Sequence, residues 1–321
     1  MKMILAMLLL TTAPAVVAFE LMEGVSVRFL SGKESGEFLA QPDDFIKSLS
    51  PFDRSVRLRV AREVSEKELL AHVAKHGLDW SGAEKKQLTE KMKEVRPLLE
   101  GLKLPLPKEV LLIKTTGKED AGAAYTRRNG IVFSENRLKR GGAAMRNLFL
   151  HELFHVMSRH DPKLATRLYR IIGYEPSPEL KFPKELAPRK LTNPDAPFSR
   201  HAIEFNHNGE SVKAMPILYS RVAKYEEKQG GTLFRYLVFR LLVLDPKEPS
   251  LPARDEADKL VLLRPDDAKG FHKKIGRNTG YIIHPEETMA DNFVYMVTGR
   301  KNLPNPEIVR SVREVLSGRV E

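Results

Sequence analysis

The 321-residue sequence contains no cysteine. Without a thiol there can be no disulfide framework, thiol nucleophile, thiolate-held zinc or iron–sulfur cluster, so any metal has to be held by histidine and carboxylate side chains. Internal repeats and low-complexity tracts are also missing, and Gly and Pro are too scattered for a collagen-like or disordered chain. Long apolar runs are scarce. The one at the N-terminus follows a single charge, Lys2, is interrupted by Pro14 and closes on Val16 and Ala18. That pattern predicts a secretory signal over residues 1–18, cleaved after Ala18. The run is shorter than the ~20 residues a spanning helix needs. A secreted or periplasmic protein with no stable membrane insertion after cleavage is therefore expected. Charge is plentiful, with 53 Lys and Arg against 42 Asp and Glu, net +11. The densest basic cluster, residues 137–140 with Arg146, has no interleaved aromatics, so it predicts a solvated edge and no nucleic-acid partner.

Local signals divide the chain further. A strand is expected at residues 56–60. Ser65 with Glu68 and Ser81 with Glu84 are capping boxes, each opening a helix, so residues 19–105 read as a mostly helical N-terminal region. Residues 110–113, Val-Leu-Leu-Ile, read as a buried strand. Residues 123–133 read as a hairpin turning at Asn129-Gly130, where positive φ angles are expected. Helices follow over residues 142–159 and 162–172, which completes a unit at 106–173. Six prolines between residues 174 and 200 mark a long ordered loop, and β-rich runs occupy 201–244, so 174–280 reads as an insertion. Helices over 285–298 and 306–316, each begun by proline and ended by glycine, fill the last unit, 281–321.

The chemistry lies in His151-Glu152-Leu153-Phe154-His155. Histidines at i and i+4 stack on one face of a helix, so both can reach one metal while Glu152 addresses a water beside it. Met145, Phe149, Leu153 and Val156 form an apolar stripe on a different face, leaving the histidines to a cleft. A catalytic zinc needs a third protein ligand and an open position. Residues 284–291, His-Pro-Glu-Glu-Thr-Met-Ala-Asp, open a second helix in which Glu287 and Asp291 share a face. His72 and His76 have the same spacing, but Val73 stands where a base would be needed and no third ligand is evident.

With these two segments the chain resembles the gluzincin metallopeptidases, the thermolysin-like clan. The resemblance covers residues near 121–160 and 281–298. It implies an α+β fold with a zincin-like core: an edge-strand hairpin, the His151–His155 helix and a Glu-ligand helix. It implies Zn2+ held by His151, His155 and Glu287, with Asp291 orienting His151 and Glu152 as general base. Glu286 competes for the ligand role, but four residues beyond it stands Ala290. An extended peptide or protein substrate would bind an edge strand, either the one at 131–133 or its partner at 123–126. The oxyanion donor expected from the resemblance is Tyr281, ahead of His284, Tyr295, His201 and His207. Two other functions fit the same residues: a zinc amidase acting on cell-wall or other non-protein amides, and a non-catalytic zincin-like binding protein. Residues 19–105 are conceivable as a cover over the cleft.

Overall fold

The computed structural model describes residues 18–319, so residues 1–17 of the expected signal lie outside the described residues. Among the described residues no helix is long and apolar enough to cross a membrane. The fold is α+β, built on two sheets.

The chain opens with β1 (Phe19–Met22) and β2 (Val25–Phe29), then α1 (Gly32–Leu39), α2 (Asp44–Ser48), α3 (Pro51–Leu58) and α4 (Glu66–Val73). A short β3 (Gly77–Leu78) and α5 (Gly82–Val95) lead to β4 (Glu109–Thr115), β5 (Tyr125–Arg127), β6 (Gly130–Ser134) and the one-turn α6 (Glu135–Leu138). The first sheet has the order β1-β2-β4-β6-β5, with β3 on the end of β4; β2, β4 and β6 run parallel, while β5 is antiparallel to β6 and forms the edge. β4 is buried on both faces, which is why it carries no polar alternation. Val110 and Leu112 face one apolar cluster with α5, and Leu111 and Ile113 face another with α1, α2 and α4.

One expected element is corrected here. Residues 56–60 are not a strand: Ser50 caps the Asp53 amide and Pro51 occupies the first turn of α3, start signals that outweigh the β-branched valines. Residues 19–105 are mostly helical, and β1 and β2 also extend the first sheet. The N-terminal region therefore contributes strands to the scaffold. The hairpin turn also differs in detail. The positive φ falls on Arg128, at 51°, and not on Asn129 or Gly130. Gly130 is required for a different reason, because a Cβ there would lie 2.5 Å from Ile113 Cδ1 and 2.6 Å from Phe38 Cζ.

The long α7 (Gly142–His160) and α8 (Pro162–Arg170) follow, then the second sheet, formed by β7 (Tyr174–Pro176), β8 (His201–His207), β9 (Glu210–Ser220), β10 (Leu237–Val243) and β11 (Leu262–Leu263). All its pairings are antiparallel. A one-turn α9 (Leu233–Tyr236) precedes β10, and α10 (Lys269–Ile275), α11 (Pro285–Thr298) and α12 (Pro306–Leu316) close the chain. Ile203, Phe205, Ala214 and Leu241 of the second sheet join the same apolar cluster as α7, α8, α11 and α12, so the segment read as an insertion shares the main core.

One buried polar cluster ties the halves together. Arg57 lies between Asp53 and Asp120, all of them at most 5% exposed, and also reaches the Thr192 carbonyl. Beside it Glu119 accepts a hydrogen bond from Thr115 Oγ1 at 2.5 Å, but its second oxygen has no partner. Burial lifts this carboxyl from 4.5 to about 7. A folded-state value above the unfolded one means that ionisation opposes folding, so stability is lost as pH rises from about 4.5 to about 7. Glu119→Gln should therefore gain on the wild type as pH rises, by on the order of 2–3 kcal/mol at pH 8 and much less at pH 5, in urea denaturation. An advantage that does not change with pH would contradict this.

Candidate metal centre

α7 begins at Gly141 and Gly142, both at positive φ (57° and 54°), where the chain leaves α6 and turns into the helix. Its nineteen residues carry His151, Glu152 and His155 on successive turns. α11 starts at His284, whose ring accepts the Glu286 amide at 3.1 Å, and Pro285 fixes the first turn. That turn delivers Glu286 and Glu287 together. α7 and α11 pack side by side, with Phe154 and Phe293 in ring contact at 5.7 Å, so the carboxylates of one helix face the imidazoles of the other.

Four of the six sequence-predicted site residues, His151, His155, Glu287 and Asp291, are brought into direct contact. Nδ1 of His151 meets Asp291 Oδ1 at 3.1 Å, and its Nε2 meets Glu287 Oε2 at 3.1 Å. Nδ1 of His155 meets Glu286 Oε1 at 2.6 Å, while its Nε2, fully buried, makes no hydrogen bond and has Glu287 Oε2 at 3.5 Å. Each ring is thus held through Nδ1 and turns Nε2 toward the same carboxylate oxygen. Glu286, the competing ligand, is instead the orienting partner of His155, itself fixed by Ser158 at 2.5 Å and by the Tyr169 hydroxyl.

These donors fit a tetrahedral divalent metal. Three donors sharing one zinc at ~2.0–2.1 Å lie roughly 3.3 Å from one another, and the observed separations to Glu287 Oε2 are 3.1 and 3.5 Å. His155 Nε2, buried without a hydrogen bond, is the atom such an ion would satisfy. Charge points the same way. Asp195, Glu152, Glu286, Glu287 and Asp291 surround two imidazoles and Arg159, an excess of carboxylates that a cation offsets.

Without a metal, the protein's own charges set the titration. Burial works against a charged His151 ring, but Asp291 and Glu287 outweigh it and raise the ring to about 10. Burial likewise opposes ionisation of Glu287, and the His155 and His151 rings overcome it, holding this carboxyl well below its ordinary value. Glu152 goes the other way. It is 2% exposed, and burial, only partly offset by the histidines, raises it. Its Oε2 accepts the Thr126 hydroxyl at 3.0 Å.

Tyr281 stacks on the His151 ring, with centroids 6.0 Å apart and planes at 14°, and borders a cavity of about 600 Å³ shared with His151, Glu152 and Glu287. Tyr295 lies farther out along the same cavity, beneath Arg300. His201 and His284 are not brought to this cavity; they pack around Tyr169, behind Glu286. His207 ends the β8–β9 hairpin, paired with Glu210. Arg137 and Arg140, expected on a solvated edge, line the mouth of the cleft. Of the two candidate edge strands, β5 is the edge and β6 lies inside the sheet. His72 and His76 bond to each other at 3.2 Å and belong to no metal-competent group among the described residues.

Sequence reasoning missed Thr126, Asn193 and Asp195. Asp195 groups with Glu152 and His155, all three offering donor atoms within 4.8 Å of one another, and Asn193 donates to Glu287 Oε1. Both come from the proline-rich loop, where no motif marks them.

No protein-family model, curated protein or solved structure matches the chain.

Proposed function

We propose that the protein is an exported zinc-dependent metallopeptidase with a zincin-like core, hydrolysing peptide bonds in extended polypeptides. The observation that carries this reading is the convergence of His151 Nε2, His155 Nε2 and Glu287 Oε2 at zinc-site spacing, with the buried Glu152 carboxylate on the same helix.

His151, His155 and Glu287 would hold the ion, with Asp291 and Glu286 fixing both imidazoles in the tautomer that presents Nε2. Bound there, zinc supplies a Lewis acid for the scissile carbonyl and makes a neighbouring water acidic. Glu152 would take a proton from a water whose oxygen attacks the carbonyl carbon, and pass it to the leaving nitrogen as the C–N bond breaks. Burial raises this carboxyl toward the working range of a general base, and the Thr126 hydroxyl fixes its orientation. Tyr281, stacked on His151 beside the cavity, would donate its hydroxyl to the developing oxyanion. The side of β5 away from β6 would give backbone hydrogen bonds to an extended chain.

Asp291→Asn and Glu286→Gln should each weaken zinc binding about 10–100-fold without abolishing it, read by competition with a chromogenic chelator; unchanged affinity in both would remove their orienting role. The reading as a whole is tested by assaying the mature chain on an unstructured protein substrate. Cleavage should stop on chelation and return with stoichiometric zinc. Cleavage indifferent to chelation, or turnover only on non-protein amides, would overturn it.

A further inference from the structure

The proline-rich loop does more than join β7 to β8. Its tip is a tight turn, Asn193-Pro194-Asp195-Ala196, closed by the Ala196 amide on the Asn193 carbonyl at 3.2 Å and by the Asp195 amide on Asn193 Oδ1 at 3.1 Å. This turn sits in the cleft. Asp195 Oδ1 accepts the Thr126 amide at 2.6 Å, and Thr126 is the middle residue of β5, the edge strand. Asn193 donates to Glu287, and Arg159 Nη2 holds the carbonyls of Pro194 and Asp195 at 3.0 and 3.2 Å. The foot of the turn is anchored as well. The Thr192 amide donates to buried Asp53 at 2.8 Å, and the Leu191 amide to the Leu218 carbonyl at 2.9 Å.

The turn also divides space. On one side lies the cavity of about 600 Å³ that reaches Ala123, Ala124 and His151; on the other lies one of about 400 Å³ that reaches Arg127, Arg128 and Arg159. Asp195 walls both. The two cavities therefore lie at opposite ends of β5 and would form one groove along it if the turn were withdrawn.

We infer that the 193–196 turn is an internal occupant of the substrate groove. Its Asp195 carboxylate takes the edge-strand amide that a backbone carbonyl of a bound polypeptide would take, so the folded enzyme is held latent and substrate has to displace the turn. This inference rests on the peptidase reading and adds its regulation. A polypeptide is the matching occupant, because the donor that Asp195 satisfies is a strand amide and the groove follows the strand. Asp195 stands beside Glu152 and His155 but does not group with His151 and Glu287, so it blocks the approach to the centre without completing the ligand set.

The test uses the full mature chain, wild type, Asp195→Ala and Pro194→Gly, the last loosening the turn without touching the candidate ligands. Three quantities are measured: kcat/KM on a long unstructured peptide, zinc stoichiometry, and hydrogen exchange of the Thr126 amide in metal-free protein. Both variants should raise kcat/KM tenfold or more and speed Thr126 exchange by at least as much, with zinc stoichiometry unchanged. An active wild type whose variants are equally active or slower overturns the latch and leaves the peptidase reading standing. Thr126 exchange that stays slow in both variants also overturns it. Zinc-loaded variants that free Thr126 yet cleave nothing overturn the peptidase reading itself.

Discussion

Glu152→Gln lowers peptide hydrolysis by roughly 10²–10⁴-fold, the range for loss of a positioned general base, while zinc stoichiometry stays that of the wild type. The substitution keeps the size of the side chain and an oxygen for the Thr126 hydroxyl, so the packing between α7 and β5 survives. What it removes is the ability to take a proton from water. The effect should fall on kcat, because what is lost is a proton transfer in the chemical step. Steady-state kinetics on a peptide with a reporter group measures it. A variant keeping more than half the wild-type rate would assign the base elsewhere, with Asp195 next in line by position.

The second large effect is on the metal. Glu287→Ala removes the carboxylate that faces both Nε2 atoms, leaving two histidines where a zinc site needs three protein ligands, so zinc should be lost after dialysis against a weak chelator. Two features separate this from a general loss of structure. Glu287 lies at the start of α11, after the His284 cap and Pro285, so the helix start does not depend on it. Its neighbour Glu286 keeps its bonds to His155, Ser158 and Tyr169. The variant should therefore retain its helical circular dichroism while losing the ion. Zinc retained at one per chain would give the third position to another carboxylate.

The elements that build the centre were legible because each carries its own local signal. Pro285 and Gly299 bound α11 at the residues expected, and the spacing of His151, Glu152 and His155 is meaningful only on a helix. The i, i+4 spacing puts Glu287 and Asp291 on one face of α11; that Glu287 meets both histidines and Asp291 meets His151 is what the gluzincin resemblance implies, not the spacing alone. The role of Glu286 did not follow. The sequence offers two adjacent glutamates, and only the rotation of α11 against α7 decides that one turns to Nδ1 of His155 while the other faces Nε2. Thr126, Asn193 and Asp195 were illegible for a related reason. Their contacts join residues 26 to 94 positions apart through loops with no periodicity. Most of the stretch expected as a strand at 56–60 belongs to the end of α3, because the helix start at Ser50–Pro51 outweighs the strand preference of Val56 and Val60. The strand character of β1 and β2 comes from pairing with each other and with β4, distant in sequence, as at the Ser26–Glu109 pair.

The central claim is that His151, His155 and Glu287 form one metal site, and metal content tests it most directly. The mature chain, stripped with chelator, re-equilibrated with zinc and passed through a desalting column, should carry one zinc per chain by elemental analysis, with His155→Ala carrying none. A wild-type chain that emerges without stoichiometric zinc would contradict the account.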